Sequence, residues 1–330
     1  MNNRFSIILP VRNGGEYFKE CVNSILSQTH AQFNFFVLNN NSSDGTREWL
    51  ESLRDERIII KDSDIDLSMP DNWARALELP LDGYITFIGH DDRLHPEYLK
   101  VMNELINDHP SASLYQAYFN YIDEKGNTIR ACKPMPEKLC VAGYLKGQFL
   151  QSTDSMGTGF MFHSKDFKKL GGYDYAIPNL LFSDYKLYAQ LTGLSYQAIS
   201  SQTCFDYRVH NSLSKSTNID SYRLAFEKYM LFLSEYQKDH PTVKGVIQND
   251  APTYLQYYCR SLSHRLLKSN TGSRIKVGAF VRDCRQYAAW LGISEKFAPY
   301  SDISIRLASM IDSNTFTRSI YQKIRSILTQ

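Results

Sequence analysis

The stretch "YITFIGHDDRLHPEYL", residues 84–99, decides how this chain is read. Its first half is a core strand in composition, with Tyr84, Ile85, Phe87 and Ile88 around a single Thr. It then runs directly into Gly89, His90, Asp91 and Asp92. Ionised carboxylates are costly to desolvate unless they are paired, hydrogen-bonded or metal-bound. Two readings follow. Asp92 caps the helix that Pro96 begins, or the pair marks a metal or phosphate site at the carboxyl end of a parallel strand. The stretch alone leaves both open.

The flanking sequence supports a parallel sheet. Phe5–Leu9, Phe33–Leu38 and Arg57–Lys61 read as strands. Helical spacing of Tyr17, Phe18, Cys21, Val22, Ile25 and Leu26 predicts a helix over 15–27. Further helices are predicted at 46–53, at 71–79 with Asp71 as its start, and at 96–107. Alternation of this kind implies an α/β fold with a mostly parallel central sheet and flanking helices. Residues 113–123 and 204–210 read as later strands, "EKGN" (124–127) as a hairpin turn, and 165–170 and 183–192 as helices. From 219 the pattern is helical, at 219–238, 241–268, 274–291 and 302–328. The expected division is 1–110, 111–218 and a helical region 219–330, the last boundary falling in "NSLSKSTN" (211–218).

Hydrophobic and charged contents of 43% and 22% are ordinary for a globular protein with a sizeable core. No apolar run reaches the length of a membrane span, and the first residues do not read as a secretory signal. Six scattered cysteines lack metal-type spacing, so a reduced cytoplasmic protein is expected. The net charge of +2 hides a split: residues 1–220 carry 21 Lys and Arg against 27 Asp and Glu, residues 221–330 carry 16 against 8. No nucleic-acid partner is expected.

Gly14-Gly15 does not complete a G-x-G-x-x-G fingerprint, and no Walker-type loop is present. Yet polar residues end three strands, at Asn13, at Asn39-Asn40-Asn41-Ser42 and at Asp91-Asp92. In an open parallel sheet such ends converge on one crevice.

The order of segments is similar to that of family 2 glycosyltransferases. "FSIILPVRNGGEYFKECVNSILSQTHAQFNFFVLNNNSSDGT" (5–46) resembles their opening, and "LDGYITFIGHDDRLHPEYL" (81–99) their metal-binding strand end. "GTGFMFHSKDFKKLGGYDYAIPNLLFSDYKLYAQL" (157–191) looks like their acceptor segment, and "YRVHNSLS" (207–214) like their closing R-x-H motif. The resemblance covers roughly 4–215 and implies a GT-A fold: a nucleotide-binding half followed by an acceptor-binding half.

It also implies roles. A divalent cation, Mn²⁺ or Mg²⁺, would neutralise the departing diphosphate, with Asp91 and His210 as ligands. Pro10, Arg12, Asn13, Glu16, Asn40, Asn72, Arg75 and His90 would bind the nucleotide. Arg12 stands where the family places a Tyr that stacks on the base, and Arg stacks through its guanidinium plane. Asn39 and Asn40 replace an acidic pair, and an Asn carbonyl still accepts an imide N–H. Gly89 and His90 replace usual acidic positions, which leaves a metal fewer carboxylates.

Inverting transfer needs a general base, which the family takes from an "E-D" pair; here the pair is Ser183-Asp184, so Asp184 is the candidate, with Asp154 next. The bland reading of Asp184 is a helix cap. Arg208 reads as an ion-pair partner, Asp174 as structural, and Ser212 and Ser214 as diphosphate contacts. Asp92 either supports Asp91 from behind or caps the next helix, and the cap is the favoured reading.

The tail carries no recognised motif, and its aromatics (Tyr229, Phe232, Tyr236, Tyr257, Tyr258 and Trp290) read as core. "IYQKIRSIL" (320–328) sets Ile320, Ile324, Ile327 and Leu328 opposite Lys323 and Arg325. Such a basic amphipathic helix suits peripheral membrane contact or a homo-oligomer.

The resemblance thus implies a nucleotide-sugar donor, UDP- or dTDP-linked, and a saccharide acceptor, often lipid-linked, in surface polysaccharide synthesis. The rivals are a non-catalytic sugar-nucleotide scaffold, supported by the changes at Asn39, Asn40, His90 and Ser183, and a nucleotidyltransferase, which wants a basic glycine-rich loop after the first strand.

Overall fold

A computed structural model describes residues 3–210, 218–269 and 275–328. The chain forms two compact units, Met1–Tyr144 with Ser152–Lys215, and Leu145–Gln151 with Ser216–Gln330.

The first unit is built on one sheet. In chain order its elements are β1 (Phe5–Val11), α1 (Gly15–Leu26), β2 (Phe33–Asn40), α2 (Thr46–Ser52), β3 (Ile58–Ser63), α3 (Met69–Ala74), β4 (Tyr84–Phe87), β5 (Arg93–Leu94), α4 (Tyr98–Asp108), β6 (Leu114–Ile122), β7 (Thr128–Ala131), β8 (Lys138–Leu139), α5 (Val141–Phe149), β9 (Phe160–His163), α6 (Ser164–Lys169), α7 (Ser183–Leu194) and β10 (Gln197–Arg208). The strand order is β3-β2-β1-β4-β9-β6-β10-β5, with β7 on β6 and β8 on β10. β1, β2, β3 and β4 run parallel, β6 and β10 pair parallel, and β9 and β5 are antiparallel to their neighbours.

All seven residues of β1 are buried, as are all of β2 except Asn34. That is the signature of strands covered on both faces, and it explains their near-continuous apolar composition.

The pairing of β4 with β1 ends at Ile8↔Phe87, whereas β1 and β2 continue to Val11↔Asn39. Past Phe87 the chain leaves the sheet and rejoins it as β5 beside β10, through Phe205↔Leu94 and Asp206↔Arg93. Residues 88–92 therefore cross the carboxyl ends of the strands, and this places the two aspartates at the crevice.

Several expectations are corrected. Asp71 does not start α3; Ser68 caps it, its Oγ accepting from the Asp71 amide, and the helix gives way to a 3₁₀ turn at Arg75–Glu78. Asp92 does not cap α4, which begins at Tyr98. β7 is the return strand of the hairpin read at 124–127, whereas β5, β8, β9 and α5 are not read from the sequence, the three strands being too short to show a period of their own.

The second unit contains α8 (Ile219–Tyr236), α9 (Pro241–Lys268), α10 (Val277–Trp290), α11 (Ile303–Ser313) and α12 (Thr315–Leu328), together with the end of α5. The single helix expected over 302–328 is two, divided at Asn314, whose backbone is extended. Of the tail aromatics, Tyr229 is buried, its hydroxyl donating to Gln148 at 2.6 Å, while Tyr257 is exposed.

Candidate active site

The strand ends of the first unit surround a cavity of about 580 Å³. β1 contributes Pro10, Val11 and Arg12; β2 contributes Asn40; the segment entering α3 contributes Leu67, Met69, Asn72 and Trp73. Gly89, His90 and Asp91 follow β4, Tyr207 and His210 close β10, and Asn179 precedes α7.

Asp91 and His210 meet in the wall, carboxylate to imidazole Nε2 at 2.5 Å. The turn that presents Asp91 is held from below by Arg208, whose side chain is almost wholly buried. Arg208 donates to the Asp91 carbonyl at 2.8 Å and to Glu20 at 2.6 Å, and its guanidinium covers the Tyr17 ring. Asp92 faces the other way. It is 2% exposed, and its carboxylate accepts from the Arg208 amide at 2.9 Å and from the Thr158 hydroxyl at 2.7 Å. Burial, and then the charge of Asp91, push the Asp92 carboxyl well above the usual range. Asp92 thus braces Asp91. The turn is tight at Gly89, where a Cβ would lie 2.7 Å from an Asp91 oxygen and 3.1 Å from an Asp92 oxygen, so a larger residue would displace those carboxylates.

Asn40 is engaged on both sides by Leu67, donating to its carbonyl at 2.9 Å and accepting its amide at 2.8 Å. One lone pair of its carbonyl oxygen remains. Asn39 donates to Asp62 at 2.7 Å. Asn72 donates to the Leu38 carbonyl and accepts from Arg75, whose Nη atoms also donate to the Asn39, Lys61 and Asp62 carbonyls. Arg75 therefore clamps the ends of β2 and β3 and does not line the cavity. Nor do Asn13 and Glu16. Asn13, in left-handed conformation, accepts from the Ser43 amide and donates its own amide to Ser42, while Glu16 pairs with Lys19 on the surface. Arg12 does line it, paired on its exposed side with Asp66.

The aromatic wall carries no signal in the sequence that singles it out. Trp73 is stacked on Phe87 at 5.3 Å, with the edge of Tyr173 against it. Tyr207 senses Asp92, Asp91 and Asp184, and burial foremost, then these charges, hold its phenol in the protonated form.

Asp184 lies in the first turn of α7, after Phe182 in left-handed conformation. It is outside the cavity lining proper and is half-buried. Burial raises its carboxyl to about 6, against the pull of the Tyr185 amide and its own. Tyr144, Tyr173 and Tyr188 also sense its charge. The neighbouring Ser183 is fully buried and accepts from the Asp174 amide, while Asp174 pairs with Lys186 at 2.7 Å. Asp154 is bound by Arg130 and by the Lys133 amide. Ser212 and Ser214 lie outside the described residues.

The sequence model of Glycosyl transferase family 2 matches residues 6–171, half of the chain. The chain belongs to that family. Among its relatives, an uncharacterized glycosyltransferase of Rickettsia conorii is 28% identical over 197 residues, 56% of this chain and 31% of that protein. The chain thus spans about a third of that relative. A second, from Rickettsia typhi, is 25% identical over 239 residues, 71% of each chain. The putative teichuronic acid biosynthesis glycosyltransferase TuaG of Bacillus subtilis is 25% identical over 147 residues, 44% of this chain and 58% of that one.

The chain also resembles solved structures. Residues 1–349 of S. aureus TarS, in complex with UDP-GlcNAc, align with a TM-score of 0.61 and 13% identity over 98% of this chain and 92% of that one. The mannosyltransferase PcManGT of Pyrobaculum calidifontis, in complex with GDP-Man and Mn²⁺, aligns at 0.54 and 13% identity over 95% and 89%. At such identities the likeness is one of fold, and the architecture of this glycosyltransferase is GT-A.

The Asn40 geometry yields one expected result. Asn40→Asp removes the bond donated to the Leu67 carbonyl and sets a carboxylate against that oxygen. The variant should lose about 1–3 kcal/mol of stability and bind nucleotide more weakly. Thermal melting and nucleotide titration check both. Retained or improved binding, the simple expectation from restoring an acid there, would show that Leu67 does not depend on Asn40.

Proposed function

We propose that the protein transfers a sugar, with inversion, from a nucleotide-sugar donor of the UDP or dTDP type to a saccharide acceptor, lipid-linked, in surface polysaccharide synthesis. The observation that carries this reading is the Asp91–His210 pair facing Arg12 and Trp73 across one cavity at the strand ends.

Arg12 would cover the face of the base, its exposed pairing with Asp66 being screened by water and readily exchanged. The free lone pair of Asn40 would accept the imide N–H. Trp73 offers an apolar face to a sugar ring. Asp184, raised to about 6 by burial, would be poised to accept the acceptor hydroxyl's proton near neutral pH. Tyr207, held protonated, would donate a hydrogen bond from the wall between these groups.

Among the described residues no three His, Cys, Asp or Glu side chains form a metal-binding group. Asp91 and His210 are hydrogen-bonded to each other at 2.5 Å and would have to part to share a cation; two protein ligands then suffice, because Mg²⁺ sites commonly complete their shell with phosphate oxygens and water. Asp91 and His210 would hold it, and when bound it supplies charge neutralisation at the departing diphosphate. The Mn²⁺ in the PcManGT complex supports that expectation. All six cysteines are free thiols, which supports a reducing, cytoplasmic setting.

Calorimetry with UDP, dTDP and GDP, each with and without Mn²⁺, tests the reading. Tighter binding of UDP or dTDP in the presence of Mn²⁺ is expected. A preference for GDP overturns the base assignment. Binding without slow hydrolysis of any donor sugar, over the same panel as nucleotide sugars, favours the scaffold reading, to which the changes at Asn39, Asn40, His90 and Ser183 point.

A further inference from the structure

Among the described residues, fourteen large apolar side chains are exposed, and seven of them lie between Ile303 and Ile327. On α12 they are Phe316, Ile320, Ile324 and Ile327. At 3.6 residues per turn these four fall within an arc of about 80°. The opposite face of the same helix is polar and turned inward. Arg318 and Gln322 donate to the carbonyls of Leu266 and Ser269, and Arg325 to that of Lys268, at the end of α9. A surface helix normally buries its apolar stripe and exposes its polar one. Here the polar stripe caps the carbonyls of a neighbouring helix and the apolar stripe is left outside, with Phe316 69% and Ile327 73% exposed.

The preceding helix repeats the pattern. α11 buries Ile305, Ala308 and Asp312, the last accepting from the Val277 amide at 2.6 Å and pairing with Arg318. Its other face exposes Ile303, Leu307 and Met310. Both helices therefore carry more apolar surface than their own packing uses.

We propose that the outward faces of α11 and α12 dock on an anionic lipid surface. Charge selects this occupant over a second copy of the chain. Residues 303–328 carry four cations against Asp312 alone, of which Arg306 and Lys323 border the outward stripes while Arg318 and Arg325 reach α9, and residues 221–330 have a balance of +8. Two copies packed stripe to stripe would face each other with like charge, which opposes association. Anionic headgroups supply the opposite charge, while the isoleucines enter the headgroup–acyl boundary. Arg306 and Lys323 sit one residue before Leu307 and Ile324, at the border of each stripe. No described helix is long and apolar enough to cross a membrane, so the helices would lie in the plane of the surface. This docking goes beyond the proposed transfer chemistry and does not depend on it.

The test is vesicle flotation of the full chain. Vesicles of phosphatidylcholine with about 30% phosphatidylglycerol should bind it, and pure phosphatidylcholine at least ~10-fold more weakly, as should about 0.5 M salt. Ile324→Glu with Ile327→Glu should lower binding by ~100-fold or more at an unchanged melting temperature. Lys323→Ala should lower it about 5-fold. Should the double variant fail to fold, Phe316→Ser at the other end of the stripe repeats the measurement. Equal binding by wild type and variants, or binding indifferent to anionic lipid, overturns the proposal. So does a dimer seen by light scattering that the double variant abolishes, with no vesicle binding by either protein.

Discussion

Asp184→Asn should leave nucleotide affinity intact and cut turnover at least ~100-fold, the lower end of what a general base contributes. The substitution preserves volume and removes the ability to take a proton. The carboxyl is raised to about 6 by burial, with the Tyr185 amide and its own opposing that rise. Turnover should therefore fall below pH about 6 along a single acid limb, since only the ionised form accepts the proton. The variant should lack that limb.

Stability should move the other way. A carboxyl whose folded value lies above its unfolded value of 3.8 favours the folded state most at low pH, and that contribution is lost as pH rises to about 6. At neutral pH the wild type holds a desolvated charge that the amide avoids, so Asp184→Asn should melt higher than wild type. A higher melting temperature with near-native transfer would make Asp184 a buried acid without a catalytic part. A lower melting temperature with lost transfer would instead point to a helix-terminal role in which the carboxylate itself stabilises the first turn of α7.

The parts of the site that can be read from sequence are those whose physics is local. β1 and β2 show as apolar runs because both of their faces are buried, and the polar residues that end them follow from the crevice at the sheet's carboxyl edge. Asp91 could be picked out because a core strand does not otherwise run into charge. Asp92 could not be placed the same way. Local rules favour a cap, but its partners are the Thr158 hydroxyl and the Arg208 amide, 66 and 116 residues away. The same holds for Asn40, whose two hydrogen bonds with Leu67 depend on the chain returning past the end of β2. Trp73 and Tyr207 are ordinary core residues by composition; only the topology turns them toward the cavity. In the second unit the amphipathic period of α12 was legible, whereas its orientation was not. Which stripe faces inward is decided by the carbonyls at the end of α9 to which Arg318, Gln322 and Arg325 donate, and no periodicity of α12 contains them.

Asp91→Ala should have the largest effect of all. Donor affinity should drop to its metal-free level, and turnover should fall by roughly 10³-fold or more, the scale of losing charge stabilisation at a departing group. Three features of the wall support so large a loss. Asp91 is the carboxylate that meets His210, at 2.5 Å, while Asp92 is turned away and consumed by Arg208 and Thr158. No neighbouring acid stands in for it on this turn, because residue 89 is Gly and residue 90 is His. The backbone that carries Asp91 is independently fixed by Arg208 through the residue's carbonyl, so truncating the side chain should leave the turn in place. The fold should accordingly survive: melting should change little, and removal of a like charge beside buried Asp92 should offset part of what the lost His210 contact costs. Asp91→Asn separates charge from shape. It retains a hydrogen-bonding partner for His210 and lacks the anionic ligand, so it should resemble Asp91→Ala in its Mn²⁺ titration and wild type in its melting. Calorimetric titration of Mn²⁺ with a bound nucleoside diphosphate reads the metal dependence directly. A variant that keeps the wild-type Mn²⁺ dependence would remove Asp91 as the ligand and return the Asp91–His210 pair to a structural latch between the β4–β5 crossing and the end of β10.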